Sequence, residues 1–221
     1  MSAAGGPGLL FDLDGTLVDT NYLHVLAWSR AFRSVGERAP MNAIHRLVGM
    51  GGDQLVPELL SHPSPGAVDA RAKYFAELLG DAEAFPGATA LVRKAHELGL
   101  LAVLASSAPI DELNKYIEIL GIADGVDGVT SADDVKESKP APEVFLVAME
   151  EGGLDPAKTL AIGDSVWDVK AARSAGIGCI GVESGGFSRH ELFEAGALTV
   201  YADVAELLHQ IHTSPIASII P

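Results

Sequence analysis

A short apolar run that ends in two aspartates restricts the possible folds of this chain more than any other segment. The run reads Leu-Leu-Phe-Asp-Leu-Asp-Gly-Thr-Leu over residues 9–17. Successive side chains on a β-strand point to opposite faces, so Asp12 and Asp14 lie on one face where the strand ends. Two carboxylates in a dry site repel each other, and a hard cation such as Mg²⁺ relieves that repulsion. The segment therefore predicts a strand followed by acids that can hold a cation, although solvated aspartates before a turn fit it as well.

Two further apolar runs end at polar residues, and together they favour the cation-binding interpretation. One run, over residues 100–105, stops at two serines, and a later one stops at Gly-Asp-Ser. Apolar runs that alternate with helical segments are typical of buried strands in a parallel sheet. Ligands of open α/β sheets bind beyond the carboxyl ends of the strands. We therefore expect four strand-end residues to meet in one crevice, namely Asp12, Asp14, Ser106 and Asp164.

A loop with two prolines lies between the second and the third apolar run. It reads Ser-Lys-Pro-Ala-Pro over residues 138–142. Proline suits both a loop and the first turn of a helix, because its fixed φ angle is already helical and its missing N–H is not needed there. The pattern therefore fixes Lys139 at the entrance of a helix.

These elements, in this order, resemble the haloacid dehalogenase-like phosphohydrolase superfamily. They are DxDGT at residues 12–16, the strand-terminal Ser106, the Lys-Pro loop, and GDSVWD at residues 163–168. Within the superfamily the chain is similar to the subgroup of phosphoglycolate phosphatase and β-phosphoglucomutase, and Asp-Thr-Asn-Tyr-Leu-His at residues 19–24 adds to that similarity. The resemblance extends to about residue 203. It implies an α/β fold with a doubly wound parallel-sheet (Rossmann-like) core and an inserted all-helical cap.

The pattern between residues 19 and 85 predicts where that cap is inserted. Only helical patterns occur there, over residues 22–35, 41–48, 53–60 and 66–79. Four helices without a strand are too many for one strand-to-helix connection, since such connections are short. We predict a helical cap over residues 20–85, its first helix capped by Thr20 and Asn21, and a catalytic core formed by residues 1–19 and 86–221. Helices and strands are predicted to alternate in the core from residue 88 to residue 182, followed by a final helix over residues 203–212.

The resemblance also implies a role for each acid of the core. Asp12 is the expected nucleophile, which attacks phosphorus and forms an aspartyl phosphate. Asp14 is the expected general acid and base, which protonates the leaving alkoxide and deprotonates the hydrolytic water. Mg²⁺ is expected between the Asp12 carboxylate, the Asp14 backbone carbonyl and the Asp164 carboxylate. Asp168 is expected to orient a water bound to the metal.

Contacts to the phosphate and to the rest of the substrate are implied for further residues. Ser106 and Lys139 are expected to hold phosphoryl oxygens and to offset the charge of the transition state. His24 stands where mutase-like relatives carry a cap histidine, although a histidine on an amphipathic helix is often an ordinary core or surface residue. Gly51 belongs to a glycine-rich loop that suits close approach to a ligand, and a plain turn fits that loop equally well. The candidates for substrate binding are Thr16, His24, Gly51 and Ser107.

Departures from related patterns decide which activity we expect. The acid Asp14 favours phosphate esters, because dehalogenases and phosphonate-cleaving relatives lack an acid there. Val48 and Gly52 stand where mutases carry cations, and Gly163 replaces one acid of the mutase pair. We therefore expect an enzyme, a Mg²⁺-dependent phosphatase of a small phosphorylated metabolite such as a sugar phosphate or 2-phosphoglycolate. A β-phosphoglucomutase-like mutase is the nearest alternative, and a non-enzymatic phospho-receiver domain or a dehalogenase is more remote.

Composition and charge limit the partners of the chain. The formal net charge of −15 argues against nucleic acid and acidic membrane surfaces, whereas a bound cation and Lys139 allow a small phosphorylated partner. The single cysteine, Cys179, excludes an internal disulfide, and no apolar run approaches the roughly 20 residues of a membrane span. We expect a cytoplasmic monomer or homodimer that is disordered over residues 2–7. The apolar tail 212–221 is expected to pack either on the core or on a partner.

Overall fold

A six-stranded parallel sheet lies at the centre of the computed structural model, which describes residues 5–221. The strands of the chain are β1 (Gly6–Phe11), β2 (Val18–Asp19), β3 (Glu83–Ala84), β4 (Leu101–Ala105), β5 (Gly128–Thr130), β6 (Leu154–Gly163), β7 (Gly178–Val182) and β8 (Thr199–Tyr201). The order in the large sheet is β5-β4-β1-β6-β7-β8, with Leu10 of β1 opposite Val103 of β4 and Ala161 of β6. The chain runs outward from β1 on one side and then crosses to β6 on the other. This reversal opens a crevice between the ends of β1 and β6, the usual ligand position in such sheets.

Helices cover both faces of the sheet. The helices of the described chain, of which α5–α10 lie on these faces, are α1 (Asn21–Ser34), α2 (Met41–His45), α3 (Gly52–Leu60), α4 (Pro65–Leu78), α5 (Ala88–Glu97), α6 (Ile110–Leu120), α7 (Glu143–Glu151), α8 (Val166–Ser174), α9 (Arg189–Ala195) and α10 (Val204–His209). Leu9 and Phe11 point into one core with α5, α6 and α10, whereas Leu10 points into the other with α7, α8 and α9. The predicted doubly wound α/β fold is therefore confirmed. Among the described residues, no helix has the length and apolarity that crossing a membrane requires.

The helices α1–α4 pack around an apolar core of their own beyond the carboxyl ends of the strands. Its buried residues include Val25, Trp28, Phe32, Ile44, Leu55, Val56 and Ala67. The strands β2 and β3 pair antiparallel and connect these helices to the sheet. The four helices lie within the predicted cap, but β3 is a strand in a segment for which only helices are predicted, because two residues carry no readable period. The boundaries at residues 20 and 85 stay a prediction.

Both ends of the described chain pack on the sheet. The disorder predicted for residues 2–7 is wrong for Gly6 and Pro7, which lie in β1 because Gly6 pairs with Leu154 of β6. Residues 2–4 of that prediction lie outside the described residues. At the other end, Ile216 is fully buried in the same core as Leu9. The apolar C-terminal tail therefore packs on the core of its own chain.

Candidate active site

Asp12 and Asp164 meet because β1 and β6 are neighbours in the sheet. Each residue directly follows its strand, and both are nearly fully buried. The Thr16 hydroxyl Oγ1 lies 3.2 Å from Asp12 Oδ2 and 3.1 Å from Asp164 Oδ1, within hydrogen-bond distance of both. Thr16, a candidate for substrate binding, is itself fully buried. The structure thus places it between the two carboxylates, where it holds them in position.

Lys139 joins this pair from the loop that precedes α7. Its ammonium Nζ lies 2.6 Å from Asp12 Oδ1 and 2.8 Å from Asp168 Oδ1, and it donates a hydrogen bond to the Ala105 carbonyl at 3.1 Å. Burial by itself would lower the pKa of Lys139, but the charges of Asp12 and Asp168 raise it above its ordinary value. Lys139 therefore remains a cation beside the expected nucleophile.

Asp168 lies in the first turn of α8 and closes a capping box with Ser165. Its Oδ2 accepts hydrogen bonds from the Ser165 hydroxyl at 2.5 Å and from the Ser165 backbone N–H at 3.1 Å. The other oxygen, Oδ1, faces Lys139. Asp168 therefore both begins its helix and fixes the position of the Lys139 ammonium group.

The carboxylates of Asp12, Asp164 and Asp168 form a cluster in which one oxygen of each lies within 4.8 Å of one oxygen of the other two. Burial and the charge of Asp168 raise the pKa of Asp12 to about 7, against the lowering effect of Lys139. Burial and the charges of Asp168 and Asp12 also raise the pKa of Asp164. Carboxylate oxygens are the ligands that hard cations prefer, and a divalent charge offsets the repulsion within such a cluster. These residues therefore fit a divalent cation.

Asp14 lies apart from this cluster and has a different environment. Its Oδ1 accepts hydrogen bonds from Thr20 Oγ1 at 2.5 Å, Tyr116 OH at 2.6 Å and His24 Nε2 at 2.7 Å. Burial alone would raise the pKa of Asp14, but His24 and the hydrogen bonds from Thr20 and Tyr116 bring it below its usual range. Asp14 is therefore held as a carboxylate, with Oδ1 occupied by donors.

An arginine of α4 fixes the orientation of His24. The Arg71 guanidinium lies 2.7 Å from His24 Nδ1, and it binds both carboxylate oxygens of Glu112 at 2.5 and 3.2 Å. A guanidinium group can only donate, so Nδ1 accepts this bond and the proton on Nε2 points to Asp14. The His24 ring also stacks on Phe75, with the ring centroids 4.0 Å apart. Because Arg71 lies on α4 and Glu112 on α6, this network connects α4 to a helix that packs on the sheet.

A cavity of about 360 Å³ lies between α1–α4 and the sheet edge, with Asp12 and Asp14 in its lining. Ser106, Ser107, His24 and Gly51 also line it, whereas Thr16, Lys139, Asp164 and Asp168 are not part of its surface. The Ser107 hydroxyl is buried without a hydrogen-bond partner in the part of the chain that the structure describes. Gly51 packs against Ser138, and a Cβ atom at Gly51 would overlap that side chain. The glycine is therefore required by the close approach of the loop before α3 to the loop that carries Ser138.

Five residues of this site are absent from the sequence-based prediction in the role that they take. Arg71, Glu112 and Tyr116 lie on helices without any motif, and only the folded packing brings them to His24 and Asp14. Asn21 and Thr20 do not cap α1 through their side chains, as the sequence suggests. The Asn21 side chain instead donates to Asp164, and the Thr20 hydroxyl donates to Asp14. Capping was the wrong interpretation because both side chains find stronger, charged acceptors in the site.

Comparisons with known proteins agree with this geometry. Residues 7–176 match the family model of haloacid dehalogenase-like hydrolases. The chain is 30% identical over 214 residues to phosphoglycolate phosphatase of Rhodospirillum rubrum. This alignment covers 90% of this chain and 88% of the relative. It is also 30% identical over 230 residues to protein CbbY of Cereibacter sphaeroides, which covers 95% and 98% of the two chains. The crystal structure of a hydrolase from Pseudomonas syringae superposes with a TM-score of 0.88 at 32% identity and covers 94% of this chain and 98% of that one. The chain therefore belongs to the haloacid dehalogenase-like hydrolase family, among its phosphatases.

Proposed function

We propose that this protein is a Mg²⁺-dependent phosphatase of a small phosphorylated metabolite and that it works through an aspartyl phosphate on Asp12. The observation that carries the proposal is the position of Asp12, which lines the cavity while Lys139 binds one of its oxygens and the Thr16 hydroxyl lies 3.2 Å from the other. A cation held by the acid cluster would offset the charge of the phosphoryl oxygens. A carboxylate fixed in this way is oriented for attack on a phosphorus atom in the cavity.

The proposed reaction has two steps that share Asp14. In the first, an Asp12 oxygen forms a bond to phosphorus while the bond to the leaving oxygen breaks, and Asp14, which has to carry a proton at this point of the cycle, gives it to that oxygen. In the second, water attacks the phosphorus of the aspartyl phosphate, and Asp14 takes a proton from that water. Inorganic phosphate leaves and the Asp12 carboxylate is restored. The three donors that hold Asp14 as a carboxylate favour the second of these tasks.

The size and the lining of the cavity support a small metabolite as substrate. Its volume of about 360 Å³ falls near the lower end of the roughly 300–1,000 Å³ that small-molecule sites span. The Rhodospirillum rubrum relative is named phosphoglycolate phosphatase. We propose 2-phosphoglycolate or a sugar phosphate as the substrate and a cytoplasmic monomer or homodimer as the active form.

The cap side of the cavity supports water, and not a second phosphorylated sugar, as the acceptor of the phosphoryl group. Val48 and Gly52 line the cavity and bring no charge to it. Of the cap residues that line the cavity in the described chain, Arg71 alone is a lysine or an arginine. Its guanidinium is already paired with Glu112. A mutase must hold a second phosphate in this region, and these residues offer that phosphate little free positive charge.

A panel of phosphorylated metabolites, assayed for inorganic phosphate with Mg²⁺ and with a chelator, tests the proposal. We expect release from 2-phosphoglycolate or a sugar phosphate with Mg²⁺ and none with the chelator. Release that the chelator leaves unchanged contradicts the role of the cation, and no release from any phosphate ester contradicts the activity itself.

A further inference from the structure

Asn21 connects the first cap helix directly to an acid of the cation cluster. It is the first residue of α1, and only 4% of its surface is exposed. Its carboxamide Nδ2 donates hydrogen bonds to Asp164 Oδ2 at 3.0 Å and to the Gly185 carbonyl at 3.1 Å. The two acceptors determine the orientation of the amide, because the flipped amide would place its oxygen against both of them. Asn21 thus brings a neutral donor to a group of negative side chains.

The two oxygens of Asp164 are held from opposite sides of the site. Thr16, which follows β1, lies 3.1 Å from Oδ1, while Asn21, on the cap helix, binds Oδ2. The single Thr16 hydroxyl proton is shared between Asp164 Oδ1 and Asp12 Oδ2, whereas Asn21 donates to Oδ2 of Asp164 and to no other acid. Removing either donor frees a rotation that the cluster must then restrict at a cost in entropy.

Two glycines enclose this amide–carboxylate pair. A Cβ atom at Gly185 would overlap the Asp164 carboxylate and approach Asn21 Nδ2. Gly15, whose φ of +77° lies in the left-handed region, would place a Cβ atom against the same two groups. The backbone therefore closes on the Asn21–Asp164 contact from two segments, and the Asp164 side chain is held in one arrangement.

The environment of the amide oxygen indicates that Asn21 does more than stabilise the fold. Its Oδ1 is buried and has no hydrogen-bond partner among residues 5–221. A buried acceptor without a partner costs free energy, on the order of 1–3 kcal/mol. A residue retained only for packing would not need this polar group, and such costs in native structures commonly occur at functional sites.

We propose that Asn21 is a positioning residue of the cation site, which holds the Asp164 carboxylate in the orientation that binds the cation. This inference rests on the proposed function for the presence of a cation. It adds that the cap helix α1 contributes to cation affinity through Asn21, although Asn21 itself supplies no negative charge.

Calorimetric titration of Mg²⁺ into the intact protein, with no substrate present, tests the inference. Asn21→Leu keeps the volume of the side chain but removes the donor and the unpartnered acceptor. We expect its Mg²⁺ affinity to fall by about 10–100-fold, the effect typical of lost outer partners of metal ligands. Its melting temperature without Mg²⁺ should change by no more than a few degrees. Asn114→Ala, at an exposed position of α6, should retain the wild-type affinity.

The outcomes separate this inference from the proposed function. Equal Mg²⁺ affinity of the wild type and Asn21→Leu overturns the role of Asn21, even if the wild type releases phosphate. A lower melting temperature with unchanged Mg²⁺ affinity also overturns it, because a residue with a purely structural role would give that result. A wild type that binds no divalent cation overturns both. If Asn21→Leu does not fold, Asn21→Ala is titrated in its place and must meet the same criterion.

Discussion

Asp12 and Asp14 stand two positions apart, yet their surroundings move their pKa values in opposite directions. Burial and the neighbouring Asp168 raise the pKa of Asp12 to about 7. Asp14 is only partly buried, with 14% of its side chain exposed, and His24, Thr20 and Tyr116 lower its pKa. Titratable groups whose pKa values are pushed apart commonly divide the roles in a reaction. Here Asp14 is ready to act as a base, whereas Asp12 depends on nearby positive charge to remain ionised.

Asp164 and Asp168, the two acids that form the cluster with Asp12, are expected to differ in their effect on the Mg²⁺ requirement. Both oxygens of Asp168 are already engaged, by Ser165 and by Lys139, whereas Asp164 is held only by neutral donors. Asp164→Asn should abolish phosphate release or raise the Mg²⁺ concentration for half-maximal rate by well over 100-fold. Asp168→Asn, which retains an oxygen for the capping box, should raise it by about 10–100-fold. A Mg²⁺ titration of the rate in which Asp168→Asn is clearly the worse variant would reverse this assignment.

The sequence predicts the residues that follow strands but not those that reach the site from helices. Asp12 and Asp164 are recognisable because a polar residue directly after a buried apolar run must lie at the sheet edge. Tyr116 and Glu112 lie on α6 and do not directly follow an apolar run. Their spacing is that of any amphipathic helix. Their contacts to Asp14 and Arg71 depend on how α6 packs under the cap, which no local pattern encodes.

At the scale of elements, the missing predictions have identifiable causes. No element is predicted between residues 183 and 202, but α9 and β8 lie there. The helix begins at a capping box formed by Ser188 and Glu191, a spacing that the sequence displays and that would have located it. The strand β8 has three residues, too few for a period. The first half of β6 is not apolar and is extended because Leu154 pairs with Gly6.

The helices α4 and α6 are tied together by Arg71 and Glu112, whose side chains are only 13% and 12% exposed. We expect these two side chains to be energetically coupled, because water screens their attraction little. A double-mutant cycle with Arg71→Met and Glu112→Gln, measured by chemical denaturation, should give a coupling of about 1–3 kcal/mol.

A matched cycle on α6 provides the control for this pair. Lys115 and Glu118 form an ion pair in which both side chains are more than half exposed. Their coupling should be about 0.5 kcal/mol or less, since solvent screens such pairs. If the coupling of Arg71 and Glu112 is no larger than this control, the pair does not hold the cap helices on the core.

At the scale of the whole molecule, the contacts between cap and core surround the cavity. Asn21 reaches Asp164, His24 reaches Asp14, and Arg46 pairs with Glu191 on the outside. The helices α1–α4 therefore cover the expected nucleophile in this structure, as lids over reactive intermediates commonly do. The fold class and the helical content of the cap follow from the sequence pattern, whereas these cross-contacts depend on the relative placement of elements far apart in the chain.

The uncharged residues Val48 and Gly52 in the cavity lining predict which acceptor receives the phosphoryl group. We expect phosphorus NMR of the enzyme with Mg²⁺ and β-glucose 1-phosphate to show inorganic phosphate without glucose 6-phosphate, and a sugar bisphosphate should not increase the rate. The same spectra with 2-phosphoglycolate cover the other proposed substrate. Conversion to glucose 6-phosphate faster than inorganic phosphate forms would contradict the hydrolase and support the mutase.

Detection of a phosphoryl group on Asp12 tests the central claim most directly. The variant Asp14→Asn, mixed with Mg²⁺ and para-nitrophenyl phosphate, should accumulate the intermediate, because nitrophenolate leaves without a proton whereas hydrolysis has lost its base. After an acid quench, we predict that peptide mass spectrometry finds one phosphoryl group, on Asp12. The double variant with both Asp14→Asn and Asp12→Asn should carry none. Wild-type release of nitrophenolate with no phosphorylated peptide in either protein, or with the phosphoryl group on another residue, would contradict the account.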